Sequence, residues 1–158
     1  MAKYSFKSAG TLATDRRYTQ SVDPKPIGIK TPLSFGIERD GIFQMHFDNA
    51  SQIKDNLRNL LMTNFGERVG LYTFGADLRS LVGELTAQDE FESEAMMRIT
   101  QAVATWMPMV ELDTFESRFL QPSAQTDSMT TLSITVVYSV PSLRIVNDEV
   151  QALITVFG

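Results

Sequence analysis

The residues best placed to do chemistry lie at one junction. Gly66-Glu67-Arg68-Val69 follows an apolar helical stripe and precedes Phe74-Gly75. A carboxylate beside a guanidinium is the minimal kit of a general acid with a charge partner. The competing reading is structural: a charged pair or hydrogen-bonded turn that locks the exit of a helix. Glycoside hydrolysis needs two carboxylates flanking a sugar. Glu67, Asp77, Glu84 and Glu111 are formally available, but no spacing singles out a pair. The structural reading of Glu67 and Arg68 is therefore preferred.

Other chemistry is thinner. Asp89, Glu90, Glu92 and Glu94 crowd one helix start, without the turning glycine of a calcium loop. They read as acids favoured by the positive end of a helix. His46 is the single histidine, and there are no cysteines. A His/Cys metal site, a disulfide and thiolate catalysis are thereby excluded. His46 reads as a surface or edge residue. No GxSxG elbow and no phosphate-binding glycine loop is present. The expected cofactor complement is none.

Length and composition bound the rest. The 158 residues suit one domain, with 43% hydrophobic and 21% charged residues. The net charge of −5 supplies no basic field for a phosphate backbone, so nucleic acid is not an expected partner. No apolar run approaches a membrane span, and the N-terminal residues lack the apolar stretch of a signal peptide.

The elements that must position these residues follow from periodicity. Residues 1–26 are polar and irregular, closed by Pro24 and Pro26, and read as an extended arm that orders against a partner or as a disordered leader. A single α+β domain follows over 27–158. Leu33, Phe35 and Ile37, then Phe43, Met45 and Phe47, alternate around an Asp40-Gly41 turn and predict two short strands. Asn49 with Gln52 suggests a capping box opening the first helix. Ile53, Leu57, Leu60 and Leu61 form its apolar stripe, and Gly66 its left-handed stop. A hairpin over 69–74 turns at Gly75, and 76–82 is a short helix facing inward through Leu78, Leu81 and Val82. Thr86 with Asp89 opens a third helix, whose stripe is Phe91, Ala95, Ile99, Ala102 and Trp106, stopped by Pro108.

Met96 reads as core filling. Met107 and Met109, flanking Pro108, suit either a core or an interface. Residues 110–119 alternate in two phases, which predicts a strand with a bulge near Thr114. Residues 121–127 form a loop. Leu132, Ile134, Val136, Tyr138 and Val140 alternate cleanly, ended by Pro141. The last strand, 149–157, is apolar on both faces and requires cover. The architecture expected is about three helices on a small mixed β-sheet, with a β-hairpin after the first main helix.

The junction also carries a resemblance. Leu60, Leu61, Thr63, Gly66, Glu67, Arg68 and Val69, followed by Phe74, Gly75 and Leu78, match an L-[IL]-x-T-x-x-G-E-R-V and F-G-x-x-L pattern. Together with the upstream IGIKTPLSFG, this resembles the baseplate wedge family of contractile phage tails. That family includes the phage sheath initiator and its type VI secretion counterpart. The resemblance spans about Ile27 to Val140. Two departures stand out: Thr73 replaces a usual proline, and Met107-Pro108-Met109 replaces a frequent Glu-Pro-Arg, so the corresponding contact must be apolar or made elsewhere.

The resemblance implies a non-enzymatic virion protein of the tail baseplate, assembled in the host cytoplasm, with one copy in each of six wedges. Its partners would be the tail sheath protein and other wedge proteins, or the tail tube. Sheath would dock by strand addition, an incoming segment pairing its backbone with an open edge. Val150, Ala152, Ile154 and Val156 would then be covered only on assembly. Glu67, Arg68, Phe74, Met107, Pro108 and Met109 would complete the partner-binding set, with Gly66 and Gly75 as structural turns. Some family members have been labelled lysozymes. A peptidoglycan-cleaving tail lysozyme and a tail adaptor or completion protein are the alternative functions.

Overall fold

The computed structural model describes residues 25–36, 41–84, 88–120 and 129–157. Ile37, Asp40, Thr86 and the loop expected at 121–127 lie outside them, as does the arm up to Pro24. The side chains of Glu84, Asp89, Phe119 and Val156 also lie outside.

The elements run β1 (Gly28–Ile29), β2 (Met45–His46), α1 (Asn49–Met62), α2 (Leu78–Glu84), α3 (Gln88–Trp106), β3 (Glu111–Leu120), β4 (Met129–Val140) and β5 (Ile145–Phe157). The fold is α+β, as expected. Its pairing is antiparallel throughout the described residues rather than mixed: β1 pairs β2, and β3-β4-β5 form a three-stranded sheet.

The long sheet follows from its sequence. Leu132, Ile134, Val136, Tyr138 and Val140 are all buried, because period two puts every second side chain on the helix-covered face. The β3 register shifts between Leu112 and Thr114, the bulge that the two alternation phases require. The turn Pro141–Leu143 and a left-handed Arg144 return the chain into β5.

One core joins the layers. Leu57, Leu60 and Leu61 of α1, Leu78 and Leu81 of α2, and Phe91, Ala95 and Ile99 of α3 meet the inner face of β4 and β5. Each such buried Leu is worth about 1.5–3 kcal/mol in water-to-core transfer. α1 lies against β5, where Lys54 Nζ meets Asp148 Oδ1 at 3.0 Å and Arg58 Nε donates to the Gln151 carbonyl at 3.3 Å. α3 lies against β3, where Ser117 Oγ donates to Glu92 Oε1 at 2.8 Å.

Several local expectations are corrected. α1 is capped by Asp48, not by an Asn49–Gln52 box: extended Asp48 accepts from Ser51 N at 2.7 Å. The helix stops at Met62 because Thr63 turns extended and its hydroxyl donates to the Asn59 carbonyl, so Gly66 belongs to the next turn. Residues 63–77 hold no paired strands. Successive turns replace the expected hairpin, closed by Gly66 N–H to the Tyr72 carbonyl at 2.8 Å. Met96 is exposed rather than core.

Candidate functional site

Glu67 and Arg68 sit side by side in sequence but do not pair. The Glu67 carboxylate accepts from Asn64 N and from Asn64 Nδ2, both at 2.8 Å. This is a local side-chain-to-backbone closure that holds the turn after α1. Its nearest cation is Arg79 on α2, at 4.0 Å. The Asn64 backbone N–H, then its side-chain amide, hold the Glu67 carboxyl below the usual range, against slight burial and with help from Arg79. A general acid for glycoside cleavage requires the opposite displacement.

Arg68 instead lies over the Phe74 ring, 4.0 Å from its centroid. Phe74 meets Trp106 edge-on, centroids 5.2 Å apart at 62°. The three form a cation–ring–ring stack. It joins the F-G motif to the end of α3, next to Pro108.

Gly75 follows under a steric constraint. It is buried at φ +118°, and a Cβ there would meet the Thr63 carbonyl. The backbones of 63 and 75 must approach this closely because Ala76 N–H donates to the Leu60 carbonyl and Asp77 N–H to the Thr63 carbonyl. Asp77, at φ +50°, immediately precedes α2. Arg98 Nη1 reaches the Asp77 carbonyl at 2.9 Å, Asp77 Oδ2 at 3.2 Å and Ser80 Oγ at 2.9 Å, while its Nε holds Glu94. One guanidinium thus ties the loop, α2 and α3 together.

The rigid loop presents an apolar crest. Phe65, Val69, Leu71 and Tyr72 are exposed, Val69 at 94%. A groove of about 520 Å³ separates the loop from the outer side of α3, floored by Met97, Ala102 and Trp106. An exposed apolar surface on a fixed frame is suited to protein contact.

The remaining expected partner-binding residues divide. Pro108 and Met109 are exposed beside the stack, whereas Met107 is 7% exposed and belongs to the core. Val150, Ala152 and Ile154 are also buried core residues, so the expectation that they await a partner is corrected. α1 and α2 supply their cover, and β4 pairs the strand in register, as at Ile134 with Ala152. β5 is therefore paired within the chain on one side. Its place in the order β3-β4-β5 makes it an edge strand among the described residues.

Sequence reasoning missed a second constellation. His46 is 4% exposed and contacts Asp55, which also takes the Thr31 N–H at 2.9 Å and Arg58 Nη1 at 3.0 Å. The spacing of Asp55 and Arg58 on one helix face is visible in the sequence, but their partner His46 arrives only through the fold. Among the described residues no three His, Asp or Glu side chains gather to hold a metal, and no helix is long and apolar enough to cross a membrane.

Comparison with known proteins bears on this arrangement. No curated protein matches the chain. A chain of the anti-feeding prophage baseplate, in a six-fold symmetrised cryo-EM structure, is similar in fold. It has 19% identity and a TM-score of 0.55, over 71% of this chain and 82% of that one. A Geobacter sulfurreducens protein described as a candidate tail lysozyme gives 19% identity and a TM-score of 0.46, over 70% and 91% of the two chains. That likeness is too distant to carry an argument. The family model of baseplate wedge protein gp25 matches residues 48–142, which contain α1, the 63–77 loop, the Arg68–Phe74–Trp106 stack and all of β3 and β4. The chain belongs to the baseplate wedge protein gp25 family.

Proposed function

We propose that this protein is a non-enzymatic wedge component of a contractile-tail baseplate. It docks and nucleates the first ring of tail sheath by strand pairing. It assembles in the host cytoplasm, one copy in each of six wedges, and the crest at 65–72 with Pro108 and Met109 meets neighbouring wedge proteins.

The observation that carries the sheath assignment is the edge position of β5. Arg58 Nε donates to the Gln151 carbonyl of this strand. Alternate residues of an edge strand turn their backbone N–H and C=O groups away from the paired neighbour, where an added strand can take them. Leu153 is exposed, at 51%. An incoming extended segment finds there both backbone partners and an apolar anchor. The docking element is thus the outer edge of β5 rather than the side chains of Val150, Ala152 and Ile154. The six-fold symmetry of the anti-feeding prophage baseplate supports the copy number. The Glu67 carboxyl, held below the usual carboxylate range by Asn64, supports the non-enzymatic reading over the lysozyme alternative.

The test is Leu153→Lys, a charge on an edge strand that repels added strands without touching the core. The variant should fold with an unchanged melting temperature and enter particles in normal copy number, about six against the tube. Those particles should carry tubes without sheath. Full-length sheath on the variant particles would overturn the docking site. Cell-wall cleavage by the wild type that Glu67→Gln abolishes would overturn the non-enzymatic assignment.

A further inference from the structure

The three-stranded sheet has a second edge. Past its bulge, β3 runs from Thr114 to Leu120 in unbroken register with β4, and no described strand lies on its other side. An open edge of this length is a template for another strand.

Three features describe what fits. An apolar slot of about 140 Å³ opens between α3 and β3, lined by Met96, Ile99, Leu112 and Phe115. Cavities of roughly that size accept one benzene ring. On the opposite face of the sheet, Glu111 and Glu116 are exposed, and Asp113 accepts from Ser139 Oγ at 2.6 Å; Arg118 Nη2, 3.4 Å from Glu116, offsets one of these three carboxylates. The strand that belongs here alternates, with an aromatic on its helix side and cations on its outer side.

Lys3-Tyr4-Ser5-Phe6-Lys7 has that pattern: Tyr4 and Phe6 in one phase, Lys3, Ser5 and Lys7 in the other. The charge distribution agrees. Residues 1–26 hold five basic against two acidic residues, and the remaining chain nine against seventeen. Reach is ample. The sixteen residues between Lys7 and Pro24 extend to about 55 Å, against a radius of gyration near 15 Å for a domain of this size.

We infer that residues 3–7 add to the edge of β3 in their own chain as a fourth strand. One aromatic ring fills the slot and the lysines lie beside Glu116. The arm then blunts the β3 edge and leaves β5 as the edge open to a partner. This explains how a sheet with two adhesive edges avoids pairing indiscriminately.

The absence of native cysteine makes the test clean. Ser5→Cys is combined in the full-length protein with Thr114→Cys, Glu116→Cys or Arg118→Cys, all outer-face positions of β3. Under mild oxidation, at least one pair should form an intrachain disulfide, seen as a monomer of altered mobility on non-reducing electrophoresis that has lost its two free thiols and recovers them on reduction. Ser5→Cys with Ser142→Cys, on the exposed turn before β5, is the control. Tyr4→Asp with Phe6→Asp should lower the cross-linked fraction by about tenfold or more, since two apolar anchors are lost. Circular dichroism should keep its folded form, because the described core draws on residues 57–154. Cross-linking no greater than the control, or only between chains, would overturn the inference. So would an intrachain disulfide that persists undiminished in the Tyr4→Asp, Phe6→Asp variant.

Discussion

His46 Nε2 lies 2.8 Å from Asp55 Oδ2, and both groups are buried. The pair fastens the N-terminal hairpin to α1. Asp55 adds the Thr31 N–H from one arm of that hairpin, while His46 comes from the other. Burial opposes the charge on Asp55, but the Thr31 N–H, His46 and Arg58 outweigh it and hold the carboxyl below its ordinary 3.8. Asp55 is therefore ionised at neutral pH, and His46 donates from Nε2.

Asp55→Ala removes the shared acceptor. It leaves the Thr31 N–H and the His46 ring without a partner, at about 2–4 kcal/mol in unfolding free energy. Urea titration measures the loss. Hydrogen exchange should show the largest gain in rate at the amides of Ile27 and Lys30, whose carbonyl partners are His46 and Gln44. A uniform gain across the chain would argue against a hairpin latch.

Acid should loosen two hydrogen-bonded carboxylates together, buried Asp55 and half-buried Asp148. At Asp148, burial is outweighed by hydrogen bonds from Lys54, Tyr138 and the Glu149 N–H, so its carboxyl is also held below 3.8. A carboxyl with a depressed folded pKa stabilises fully above its unfolded value. That stability is lost as pH falls below 3.8 and through the folded value. The urea midpoint should hold between about pH 6 and pH 5 and then decline steeply below about pH 4. Asp148→Asn should flatten that decline, and an unchanged slope would remove Asp148 from the account.

Two glycines should respond differently to alanine. Gly66 has φ +83° and open space around its Cβ position, so Gly66→Ala should cost about 1 kcal/mol of backbone strain. At Gly75 the strain is joined by a collision with the Thr63 carbonyl, and Gly75→Ala should cost about 3 kcal/mol or more. Thermal melts of the two variants test the ordering.

The Arg68–Phe74–Trp106 stack has a spectroscopic handle, since Trp106 is the only tryptophan. Phe74→Ala should redden its emission and cost about 2–4 kcal/mol by exposing the ring that Phe74 covers. Arg68→Ala should cost less than about 1 kcal/mol, the range of an exposed cation–ring contact. Equal costs would mean that Arg68 packs the loop rather than merely covering Phe74.

Local pattern sufficed wherever one face of an element is buried. The alternation of 132–140, the helical stripes of α1 and α3, the bulge near Thr114 and the stop at Pro108 were all legible, because periods of two and 3.6 map directly onto faces. The F-G and G-E-R-V pattern likewise marked the wedge family before any geometry was known. Tertiary structure alone decided who partners whom. Glu67 has the sequence neighbour Arg68, yet closes on Asn64, because a turn can satisfy a carboxylate within three residues while Arg68 gains more over Phe74. His46 looks like an edge residue until the hairpin folds onto α1 and delivers it to Asp55. The apolar final strand looks incomplete until β4 pairs it and α1 covers it. Burial of one face is a property of the strand's own sequence, but which strands lie at the edges depends on their spatial order in the sheet, β3-β4-β5.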